Sequence, residues 1–152
     1  MSDRAQRLAI VLDMAADKEK SAAEAFKMAR DLWQSDQNRL QELQGYFDDY
    51  QGAIGSSAFS RAWEMARQRE FLQQLGQALD QQVQVVEQRL KVVEDKKALW
   101  QQANLKHKAL RDFVERIKSD ERNTLSRQEA KQLDEWCTQA FHQTRTSESQ
   151  WC

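Results

Sequence analysis

The sequence predicts an all-α protein, a long antiparallel two-helix coiled-coil hairpin whose second helix overhangs the first. Three observations predict it. The 152 residues contain no proline and only four glycines, so the backbone lacks the punctuation that several tight turns require. Ala, Leu, Glu, Lys, Arg and 21 glutamines dominate the composition, and these side chains lose little rotamer freedom in a helix. Finally, apolar residues recur at alternating spacings of four and three along two stretches, the period of a supercoiled seam.

The first stretch, expected to be helical over about residues 3–50, carries the repeat at Leu8, Leu12, Ala15, Glu19, Ala22, Phe26, Ala29, Trp33, Asp36, Leu40, Leu43, Phe47 and Tyr50. All but Glu19 and Asp36 are apolar, so one face is built to meet a partner along its length.

Glycine and small polar residues then cluster once, from Gln51 through Gly52, Ala53, Ile54, Gly55 and Ser56 to Ser57, with Gly45 just before. This is the one expected turn, a loop over about residues 51–58. Gly52 and Gly55 can end a helix in left-handed dihedrals, and Ser56 or Ser57 can accept an amide hydrogen bond as the next N-cap.

The second stretch is expected as a helix over about residues 59–141. It keeps a strict seven-residue period at Met65, Leu72, Leu79, Val86, Val93, Trp100, His107 and Val114, flanked by Leu75, Val83, Leu90, Ala103, Leu110 and Ile117. The stripe thins through Leu125, Leu133, Trp136 and Phe141, and the polar tail over about residues 142–152 is expected to fray. The whole chain reads as a single hairpin domain.

Charge supports pairing of the two stretches. Residues 1–57 hold 7 basic and 10 acidic side chains, and residues 85–118 hold 9 and 5. Opposite signs meet when the hairpin closes, which selects partner and orientation more than it stabilises. At about 1.5 Å rise per residue the helices reach roughly 70 and 120 Å. The overhang therefore begins near His107, and its apolar stripe needs a second copy or another protein to cover it.

Several functions are excluded on the same grounds. A net charge of −1 and the absence of a Lys/Arg stripe with interleaved aromatics argue against nucleic acid. The apolar run Leu8 to Leu12 is far too short to span a membrane, so the chain is expected to stay in the cytoplasm unless carried elsewhere. Cys137 and Cys152 are read as reduced thiols, and Cys137 and His142 lack metal-ligand spacing. His107 and His142 have no paired carboxylate, and a two-helix seam offers no water-excluding pocket. No catalytic residue, cofactor or metal is expected.

One feature exceeds what a seam requires. Phe71, Leu75 and Ala78 lie beside Leu72 and Leu79, and Tyr46 lies beside Phe47 and Tyr50, which doubles the apolar width near the loop. Either a third helix, a second hairpin or the loop covers this patch, or it docks another protein.

The strings LQGYFDDY at Leu43 to Tyr50, FLQQLGQAL at Phe71 to Leu79, Trp100-Gln101-Gln102 and KQLDE at Lys131 to Glu135 resemble the FliJ family of flagellar export proteins over essentially the whole chain. The most specific part is the tyrosine-bearing end of the first helix followed by the Phe-x-x-x-Leu-x-x-Ala step of the second. One departure is Arg67-Gln68-Arg69-Glu70 before Phe71, where the family commonly has an aromatic-Gln-Gln-like step.

The resemblance implies a non-enzymatic component of flagellar type III protein export. It would act as a central stalk in the export ATPase ring, stimulating the ring's assembly and activity. It would also serve as an adaptor to the cytoplasmic domain of the export gate and to substrate chaperones, peripherally associated with the cytoplasmic face of the cell membrane. The family's partner-binding positions fall here on Leu43, Tyr46, Tyr50, Phe71, Leu75 and Ala78. Analogy with ring stalks puts the terminal end in the ring and the loop end at the gate. The rival readings are a self-associating structural coiled coil and a chaperone-like holdase with an apolar tip.

Overall fold

The computed structural model describes residues 3–56 and 62–149, all of them in two α-helices: α1, Asp3–Ser56, and α2, Ala62–Ser149. The two long helices pack against each other as a hairpin. Among the described residues there is no strand.

The buried side chains show directly which period holds the helices together. Ala15 and Ala29 on α1, and Leu79, Val93 and Val114 on α2, are 6–9% exposed. On each helix their separations are multiples of seven, as a seam one side chain wide demands. No described polar side chain is buried as a whole. The accessible surface of 12751 Å² compares with about 8000 Å² for a compact chain of this mass, so each helix buries one stripe and solvates the rest.

The packing divides into two compact units, one of residues 14–106 and one of residues 1–13 with 107–152. In the first unit Phe26 stacks on Trp100 with ring centroids 6.1 Å apart, and Arg89 bonds Asp36 at 2.9 Å. Phe47 packs over Gly76, and Tyr50 meets Phe71. As the α1 number rises the α2 number falls, which is antiparallel pairing. In the second unit Val114 is buried, and Arg4 shares a shallow groove with Ile117, Asp120, Glu121, Thr124 and Leu125.

Four sequence expectations need correction. First, α1 does not stop at Tyr50 but continues to Ser56. Gly45 and Gly52 stay in the helix, since no described glycine has positive φ. Glycine lowers helix propensity by only about 1 kcal/mol, which a packed helix tolerates. Ser56 thus closes α1 instead of capping α2, while Ser57 and Phe59 lie outside the described residues.

Second, α2 continues past Phe141 to Ser149. No glycine or proline interrupts it there, and the Thr144 hydroxyl donates to the Ala140 and Phe141 carbonyls within the turn.

Third, Val83 and Leu90 are not buried in the seam but half-exposed, at 40% and 41%. Gln82 and Arg89, one position earlier, reach across to Asp36. Asp36 is a polar residue at a seam position of α1, and it draws hydrogen-bond donors to the facing row.

Fourth, α2 is not solvated from His107 onward. His107, Leu110 and Ile117 are half-buried and Val114 is buried, so continuous exposure begins only at Asp120. The first turns of α1 lie in the same compact unit and cover that stretch.

Candidate functional site

The loop-proximal end of the hairpin holds the densest exposed aromatic surface of the 14–106 unit, and heptad geometry explains why. Leu43, Phe47 and Tyr50 occupy seam positions of α1 and are half-buried. Tyr46, one position before Phe47, is turned outward and is 64% exposed. On α2, Leu75 is half-buried in the seam, while Phe71 and Ala78 stand one position before the seam residues Leu72 and Leu79. Phe71 is 47% exposed and Ala78 half-buried.

Of the six residues singled out from the sequence, Tyr50 and Phe71 are in direct contact, with ring centroids 4.7 Å apart and planes tilted by 54°. That tilt suits edge-to-face aromatic attraction. Leu43 and Leu75 serve mainly as packing. Tyr46 and Phe71 are the two aromatics that offer area to a partner.

Trp63 and Arg67 were missed by sequence reasoning. With Tyr50, Glu64, Gln68 and Phe71 they line an open groove beside the aromatic pair. Trp63 is 54% exposed, and the Arg67 guanidinium lies 5.5 Å from its ring centroid. The signal was a Trp and an Arg four residues apart in the first turns of α2, a spacing that places both on one helix face. Arg67 and Gln68, from the segment that departs from the family pattern, therefore supply a wall of this groove. Gln68 Oε1 is buried in that wall with no hydrogen-bond donor among the described residues.

A second surface lies far along α2. Every residue from Asp120 to Gln139 is exposed, including Leu125 at 57%, Leu133 at 62% and Trp136 at 66%, and Phe141 just beyond is 64% exposed. Cys137 on this stretch is a free, exposed thiol. These side chains put large apolar area in contact with solvent along this part of α2.

The chemistry available at both surfaces is recognition by area and shape. Among the described residues no group of His, Cys, Asp and Glu is arranged to hold a metal ion, and no helix is long and apolar enough to cross a membrane.

A family model described as Flagellar FliJ protein matches residues 4–146, nearly the whole chain. Neither a curated protein nor a solved structure matches it.

Proposed function

This chain belongs to the flagellar FliJ family and is a flagellar export component, and we propose that within that machinery it acts as a stalk for the export ATPase ring and as an adaptor. The observation that carries the stalk reading is the exposed stretch Asp120 to Gln139 of α2. Its Leu125, Leu133 and Trp136 are solvated in the isolated chain and gain burial only inside another protein.

In the adaptor role the loop-proximal patch engages the cytoplasmic domain of the export gate and the substrate chaperones. Tyr46, Phe71 and the Trp63 groove provide the aromatic area in which interface energy concentrates, and Leu43, Tyr50, Leu75 and Ala78 hold that area in place. The chain works at the cytoplasmic face of the cell membrane through these partners, without catalysis of its own.

The test is ATP hydrolysis by the cognate export ATPase with and without the full chain. Added chain raises the rate and co-sediments with the ring, and Leu133→Ala combined with Trp136→Ala abolishes both effects. An unchanged rate with no co-sedimentation overturns the stalk reading.

A further inference from the structure

The tip patch is the end of a longer apolar flank. On α2, Phe71, Ala78, Val85, Val92 and Leu99 follow one another at strict seven-residue spacing, one position before the seam. Phe71, Val92 and Leu99 are 42–53% exposed, and Ala78 and Val85 are half-buried. On α1 the equivalent row contains Ala25, Leu32 and Tyr46, and Leu32 is 49% exposed.

The two rows adjoin on one side of the 14–106 unit. Near its far end Lys18, Ser21, Ala22 and Ala25 of α1 share a groove with Lys96 and Leu99 of α2. At its near end Tyr50 touches Phe71. Small side chains at Ser21, Ala22 and Ala25 leave room for a helix to approach closely. A row that repeats every seven residues stays in line along a supercoil, so the surface matches a partner with the same period. The flank spans about four heptads, roughly 40 Å at the α-helical rise.

Charge identifies the kind of partner. The charged members of these rows are mostly basic: Lys18 and Arg39 on α1, and Lys106 where the α2 row continues beyond Leu99, against the one acid Glu64 where it continues before Phe71. Lys96 adds a fourth cation on the groove wall. Acidic residues such as Glu42 and Asp95 sit one row further out. A second copy of this chain would present the same cations, with Glu64 as the one acid within the rows at the tip end. We infer that this flank docks an amphipathic α-helix of another protein, apolar at heptad spacing and edged by acidic residues, completing a three-helix coiled coil. Like charges facing one another across such an interface disfavour the wrong partner, which makes the acidic edge a selection rule.

This holds whether or not the tip meets an export gate, and it is tested without the ATPase. The probes are two fluorescent four-heptad peptides with the same leucine core, one flanked by glutamates and one by lysines, titrated into the full chain. The glutamate peptide binds at least about tenfold more tightly than the lysine peptide. Val92→Glu with Leu99→Glu, both half-exposed, loses about tenfold or more while circular dichroism stays helical. Lys18→Glu with Lys106→Glu, two exposed side chains, reverses the preference and serves if the first variant unfolds. Equal binding of the two peptides, or unaltered binding by both variants, overturns the inference. So does a wild-type dimer in sedimentation that Val92→Glu with Leu99→Glu makes monomeric, because the flank then belongs to a second copy.

Discussion

Arg89 Nε donates to Asp36 Oδ2 at 2.9 Å across the seam, and Gln82 Nε2 donates to the Asp36 backbone carbonyl, also at 2.9 Å. These residues form a polar layer between apolar ones and join positions 46 and 53 residues apart in sequence. A single polar layer in a coiled coil fixes register at some cost in stability, because any slip leaves its groups without matched partners. The Arg89 and Asp36 side chains are 44% and 20% exposed, so their attraction is screened and contributes under about 1 kcal/mol.

Asp36→Leu is expected to raise stability by about 1 kcal/mol, since it adds apolar seam area while Arg89 turns into water. The same variant loosens register. Urea denaturation reads the first effect. Oxidative cross-linking of cysteines placed at Phe26 and Trp100 reads the second, as a lower yield than in the otherwise identical Asp36 chain.

The Phe26–Trp100 stack carries the seam near the far end of the 14–106 unit, and both rings are half-buried. Trp100→Ala should cost about 2–3 kcal/mol, below the 3–5 typical of fully buried aromatics. Met28→Ala, at a residue 67% exposed, should cost less than about 0.5 kcal/mol. Equal losses in denaturant titrations of the two variants would contradict the seam assignment.

Gly52 lies within α1, and a Cβ built there meets nothing within 4 Å. Gly52→Ala is therefore expected to stabilise by about 0.5–1 kcal/mol through helix propensity. A glycine needed for left-handed turn dihedrals would give the opposite sign. Thermal unfolding of the variant distinguishes the two.

At the tip, Tyr50 and Tyr46 should separate packing from docking. Tyr50→Ala loses the ring contact with Phe71, worth about 0.5–1.5 kcal/mol beyond its area, and lowers Tm. Tyr46→Ala, at a residue 64% exposed, leaves Tm within about 2 °C. It nevertheless weakens binding to the export-gate cytoplasmic domain about tenfold or more in calorimetric titration.

Within the 1–13 and 107–152 unit, Val114 and Leu133 should divide in the same way. Val114 is 6% exposed and Leu133 is 62% exposed. Val114→Ala is expected to cost about 1–2 kcal/mol. Leu133→Ala leaves stability unchanged and reduces stimulation of the export ATPase, read by denaturation and phosphate release on the same preparations.

The sequence by itself determined that there are two helices, the seven-residue period of their apolar stripes and which way they pair. The absence of proline, the helix-forming composition and the seven-residue period each act locally, and all agree. Tyr50 and Phe71 were legible as patch residues because width beside a stripe is visible in spacing. Tertiary structure decided what depended on the facing helix. The period names a row but not which of its polar neighbours bond across it, so the reach of Gln82 and Arg89 to Asp36 beside the half-exposed Val83 and Leu90 became visible only in the packed pair. It likewise decided where α1 ends. Gly52 costs a helix only about 1 kcal/mol, so its presence in the sequence does not mark the end of α1. Trp63 gained its place beside Tyr50 and Phe71 from the tertiary structure too: a groove wall is defined by what stands across from it.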